Sequence, residues 1–112
     1  MTHDRLAKFV GGGSAPASPL GRVNGTWPLA VLEIKPSGLT LRMRGIARIF
    51  GPVERLEATP ATLRRAYPVH GLLSSGVGFT DQKGRDFYFF TNRGPRILDL
   101  LAQLGYPASR EQ

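Results

Sequence analysis

Two hydrophobic periods run through this chain. From Leu39 to Arg44 apolar and polar residues alternate strictly, with Leu39, Leu41 and Met43 on one side and Thr40, Arg42 and Arg44 on the other. This is the pattern of a strand with one buried face. The preceding stretch, 27–35, carries Leu29 and Val31 on one parity and Ala30, Leu32 and Ile34 on the other, as expected of a strand covered on both faces. "PSG" at 36–38 supplies turn chemistry between them, so the two segments are read as the first hairpin of the fold. A second hairpin is expected from 76–80 and 85–91 across "DQKG", with Phe87 and Phe89 on one face and Tyr88 and Phe90 on the other. Shorter strands are expected at 46–50 and 53–58, and 61–67 reads as a strand or one turn of helix, with a loop over 67–76.

After Thr91 the period changes. "NRGP" ends the strand, and Pro95 suits a first helical position, where a missing N–H costs nothing. Ile97, Leu98, Leu100, Leu101 and Leu104 then form one stripe while Arg96, Asp99 and Gln103 stay wet, predicting a helix over 95–104. Gly105 is placed to end it in a left-handed cap, and Pro107 blocks continuation. The aromatic strand and the helix are expected to bury each other. The fold class is therefore mainly β with one C-terminal α-helix.

Ahead of these elements, "GGGSAPASP" at 11–19 has no residue able to anchor a core. Residues 1–21 read as a flexible tail or linker, 22–107 as the folded domain and 108–112 as a C-terminal tail. "THDRLAKFV" could add one or two turns of helix with Leu6, Phe9 and Val10 on a face.

Composition narrows the chemistry. The 112 residues are 41% hydrophobic, enough for one domain with a real core. With no cysteine there is no disulfide, thiolate nucleophile or cysteine-held metal, in keeping with a cytoplasmic protein. No apolar run reaches signal-peptide or membrane-spanning length. The net charge of +7 suits nucleic acid, an anionic membrane surface or an acidic protein partner. Twelve of the 15 basic residues are Arg, beside 14 Gly and 9 Pro, so the charge also has a compositional explanation.

No catalytic constellation emerges, and neither an enzyme nor a cofactor or metal is expected. The histidines are His3 and His70, and His70 near Ser74 and Ser75 lacks an orienting acid. "GVG" at 76–78 lacks the further glycine of a dinucleotide site. Glu54 and Glu57, three apart in an expected strand, would point to opposite faces. "KGRDFYFF" partly matches the aromatic strand with which RNA-recognition motifs stack bases, but has Arg85 where the first aromatic belongs. Core packing of its aromatics is the expected reading, to be revised if one aromatic face is exposed. Trp27 suits a core position or a surface patch at the strand's start.

Seven strands followed by a single C-terminal helix resemble the pleckstrin-homology-like (PH-like) roll, a partly open barrel capped by its helix. The phrases "GTWPLAVLEI", "GVGF…FYFFT" and "RILDLLAQLGYP" are similar to small bacterial members, and the resemblance covers 23–107. It implies a non-catalytic binding or adaptor module that meets a protein partner through exposed strand edges or the groove near the helix. Membrane-binding members carry a Lys, a spacer, then basic-x-Arg across the first hairpin. Lys35, Arg42 and Arg44 match that signature, with Arg48 in support, although "PSG" is shorter than the family's usual loop. Arg42 and Arg44 share one face and Lys35 lies across the turn, so the three cations are expected to converge on phosphate oxygens. The partners expected are a protein first, an anionic membrane surface second and nucleic acid third.

Overall fold

The computed structural model describes residues 6–17, 21–44, 54–70 and 75–109. They form seven strands, β1 (Ala7–Ala17), β2 (Gly21–Lys35), β3 (Gly38–Met43), β4 (Leu56–Ala58), β5 (Arg65–His70), β6 (Ser75–Thr80) and β7 (Asp86–Phe90), followed by helix α1 (Gly94–Gln103). The strands make one antiparallel sheet in the order β4-β3-β2-β1-β7-β6-β5, open because β4 and β5 do not pair with each other.

The core lies on one face of this sheet. Phe79, Phe87 and Phe89 are fully buried there with Leu32, Ile34, Leu39, Leu41 and Leu56, and Ile97, Leu98 and Leu101 of α1 close the cluster. Each such side chain contributes roughly 2 to 3 kcal/mol by leaving water. A flat sheet of seven strands at about 4.8 Å spacing would hold its outer strands roughly 29 Å apart. Leu56 of β4 and Ala66 of β5 nevertheless share one cluster, so the sheet curls around its core and α1 fills the open side.

Local chemistry accounts for the element ends. Pro36 and Ser37 turn β2 into β3. Between β6 and β7, the Asp81 carboxylate accepts hydrogen bonds from the Lys83 and Arg85 backbone N–H groups, and Gly84 takes φ 81°. Helix α1 has Pro95 in its first turn and ends at Gly105 with φ 91°. The N–H groups of Gly105 and Tyr106 reach back to the Ala102 and Leu101 carbonyls, the paired bonds of a Schellman cap. The Tyr106 hydroxyl then donates to the Lys35 carbonyl, tying the helix exit to the β2–β3 turn.

The largest departure from the sequence expectation concerns residues 7–17. Expected to be a linker, they form the central strand β1, which pairs with β2 over 7–17 and with β7 over Gly12–Ser14. Its glycines answer to crowding rather than flexibility. A Cβ on Gly11 would meet the Phe90 carbonyl oxygen at 2.6 Å, and one on Gly13 would meet the Ala30 Cβ at 2.8 Å, so only glycine lets the strands close here. Residues 6–10 are consequently extended and not helical.

Smaller differences follow. The loop expected over 67–76 is in part strand, because β5 starts at Arg65 and runs to His70. Residues 61 and 62 belong instead to a turn in which the Thr62 N–H donates to the Thr59 carbonyl and the Thr62 hydroxyl accepts from the Thr59 N–H. Of the strand expected at 53–58 only Leu56–Ala58 pairs, and the one expected at 46–50 lies outside the described residues. The C-terminal segment is partly docked, with Ala108 bridging in parallel to Ala66.

Candidate binding site

Because β1 precedes it, the hairpin carrying Lys35, Arg42 and Arg44 is the second of the sheet. Its cations lie along the strands. Lys35 sits opposite Gly38 beside the turn, while the Arg44 N–H donates to the Leu29 carbonyl six residues further along β2. That separates their backbones by about 20 Å. The Arg44 Nε donates to the Pro28 carbonyl, holding its side chain at the end remote from Lys35. Arg42 is 3.3 Å from the Glu33 carboxylate, and Arg55 pairs with Glu57. The depression over these strands, about 550 Å³, is lined by Lys35, Arg42 and Arg55 together with Glu33 and Glu57. Its charges largely cancel, and Arg48 lies outside the described residues.

The outer face of the other half of the sheet is aromatic. Tyr88 and Phe90 point away from the core, stacked with centroids 6.4 Å apart, and both are half-buried. Tyr67 lies flat across Gly78, where a Cβ would collide with its ring. Two guanidiniums cover these rings, Arg22 at 5.1 Å from the Tyr88 centroid and Arg65 at 4.3 Å from that of Tyr67. Arg22 is fixed by donating to the Ser14 hydroxyl and the Asp86 carbonyl, and the Asp86 carboxylate accepts from the Thr80 and Tyr67 hydroxyls. Burial disfavours the phenolate and pushes the Tyr67 hydroxyl up to about 12. Tyr67 therefore stays a neutral hydrogen-bond donor at any ordinary pH.

A third surface opens where β1 and β7 part. β7 pairs with β1 only over Gly12–Ser14, and the chain leaves the sheet at Thr91 to enter α1. On that side residues 7–10 of β1 have no strand partner among the described residues. The gap is a notch of about 420 Å³ lined by Lys8–Gly11, Trp27 and Phe90–Arg93. Trp27 reaches it from a bulge of β2, whose residues 26–29 stand opposite the single residue Gly12. Lys8 and Arg93 are exposed at the rim, and no carboxylate lines the notch among the described residues. Among the described residues, the two large hydrophobic side chains exposed to solvent are Trp27 at 70% and Leu6 at 48%. Trp27 lines the notch, and Leu6 directly precedes the unpaired run in the chain.

Among the described residues no nucleophile, base and orienting acid come together. His70 and Ser75 face each other in the β5–β6 register, but among the described residues the small depression beside them offers Pro68, Val69, Thr91, Asn92 and Pro95 and no carboxylate to orient the imidazole. No cluster of three potential metal ligands occurs among the described residues. Glu54, expected to be a strand residue, lies outside the strands and pairs with Arg85 at 3.0 Å.

The notch is not legible in the sequence, because its parts are far apart in the chain and the glycines of β1 give it the composition of a linker. The alternation of Lys8 and Val10 against Ala7 and Phe9 was the available signal, masked by the glycines that follow. Comparison with protein-family models, with curated protein sequences and with solved structures finds no match to the chain.

Proposed function

We propose that this protein is a non-catalytic binding module that takes up an extended segment of a protein partner along the open edge of β1. The observation that carries the reading is the coincidence of an unpaired strand edge with the two exposed large hydrophobics, Leu6 and Trp27. An unpaired edge offers a row of N–H and C=O groups to an incoming strand, and the flanking side chains supply contact area. A volume of about 420 Å³ lies within the roughly 300–1,000 Å³ usual for ligand sites. The other edges suit such a partner less well. β4 is three residues long. On β5, the Ala66 N–H and C=O already bond to Pro107 and Ser109, and Pro68 has no N–H to give.

Kinship with PH-like rolls belongs to this proposal. It is supported by the order of seven antiparallel strands followed by one C-terminal helix.

The test is selection of ligands from an unbiased peptide library against the full chain, followed by hydrogen exchange. The expected result is protection of the amides of residues 7–10 in the complexes and loss of binding in Trp27→Ala, whose exposed side chain can be removed without unfolding the protein. Ligands that protect β4, β5 or α1 instead, with Trp27→Ala binding normally, would overturn the reading.

A further inference from the structure

We infer that the segment taken up in the β1 notch is acidic and amphipathic, a conclusion that rests on the strand-edge reading above. The charge distribution carries it. The described carboxylates outside the helix are engaged elsewhere: Glu33 by Arg42, Glu57 by Arg55, Glu54 and Asp81 by Arg85, and Asp86 by Thr80 and Tyr67. Lys8 stands across from Glu33 in the β1–β2 register, yet that carboxylate makes its ion pair with Arg42. Lys8 and Arg93 are left at the rim of the notch with no carboxylate partner among the described residues.

The start of α1 adds to this field. Arg93 is the N-cap residue, Arg96 follows, and no acidic residue stands in the first turn, so the positive end of the helix dipole is uncompensated beside the notch. Carboxylates of a bound strand would relieve that potential.

The pleat fixes which positions must be acidic. Side chains of an added strand alternate in the same way as those of β1. One parity would share the outer face with Lys8 and Val10, and the other would lie beside Ala7 and Phe9, which pack against the core. The fitting segment therefore carries Glu or Asp at one parity and apolar residues at the other.

Two other occupants fit less well. A second copy pairing through the same edge would bring two sets of Lys8 and Arg93 together, and a Lys on an edge strand acts against self-pairing. Single-stranded nucleic acid stacks its bases on successive open rings. Here Arg22 and Arg65 cover Tyr88 and Tyr67, leaving Trp27 as the freely exposed ring among the described residues.

Trp27 is the protein's one tryptophan, so its emission reads the notch directly. The full chain is titrated with the blocked peptide Ac-Glu-Val-Glu-Val-Glu-Val-Glu-NH2, its glutamine counterpart and an oligo(dT), each followed by Trp27 fluorescence. The acidic peptide is expected to shift the emission to the blue and to bind about five- to tenfold more tightly than the glutamine peptide, the effect of two partly exposed ion pairs. Its binding weakens with salt, and the Lys8→Glu/Arg93→Glu variant, altered at two exposed positions, reverses the preference. Equal binding of the two peptides, both shifting Trp27, would overturn the acidic preference and leave the strand-edge reading standing. A response to neither peptide would overturn both. A response to oligo(dT) alone would assign the notch to nucleic acid, and a concentration-dependent blue shift without ligand would assign it to a second copy.

Discussion

Single residues at two turns and crossings bear more of this fold than their size suggests. Burial pushes the Asp81 carboxyl up, but hydrogen bonds from the Arg85 backbone and side chain, the Arg85 charge and the Lys83 N–H outweigh it and hold the group below its ordinary value. A carboxyl depressed in the folded state contributes stability that is present above its unfolded pKa of about 3.9 and lost as pH falls through the lower folded value. Acid unfolding of the wild type should therefore steepen below about pH 4, and Asp81→Asn should be less stable at neutral pH with a flatter acid limb in urea titrations. At Gly76 the constraint is steric. A Cβ would run into the Phe89 carbonyl and come within 2.9 Å of the Phe90 Cα, both backbone and unable to turn aside. Gly76→Ala is expected to cost about 2 to 3 kcal/mol by denaturant unfolding, as overpacking does. At Gly78 the obstacle is the Tyr67 side chain, which can move, so Gly78→Ala should cost less.

At the scale of elements, β1 organises the sheet. It is the one strand bonded to both halves, β2 on one side and β7 on the other. A chain beginning at Arg22, the boundary that the sequence suggests, would expose the inner edges of β2 and β7 and lose Ala15 from the core. It should fail to give a cooperative thermal transition or dispersed amide spectra, and the full chain should give both. A folded truncation would return residues 1–21 to the status of linker. Helix α1 was legible because its signals are local. An apolar stripe, a proline in the first turn and a glycine at the stop are read within a dozen residues, and the helix lies within one residue of its expected bounds.

For the molecule as a whole, the charge of +7 is unevenly used. Over β2, β3 and β4 cations alternate with carboxylates, while the charged residues described at the notch between β1 and β7 are the cations Lys8 and Arg93. No described helix is long and apolar enough to cross a membrane. Co-sedimentation with anionic liposomes should be weak at near-physiological salt, and the Arg42→Glu/Arg44→Glu pair should leave it unchanged, because those arginines are already held by Glu33 and the Pro28 carbonyl. Salt-sensitive binding lost in that pair would instead make the β2–β3 hairpin a phosphate site.

The sequence by itself determined the elements whose signals are short in range. These are the alternation of β3, the aromatic parity of β7, the stripe and caps of α1, and hence a β-rich chain closed by one helix. It also placed Lys35, Arg42 and Arg44 on their hairpin and left Trp27 open between core and surface. Only the tertiary structure decided that Gly11 and Gly13 pack a central strand, since the nearest atoms excluding a Cβ belong to β2 and β7. The same holds for the fate of the charges. An ion pair such as Arg85 with Glu54 depends on which loops meet, and the notch exists because β7 turns away from β1 after Phe90. Local propensity encodes a strand, but where two strands part is fixed by the path of the chain beyond them.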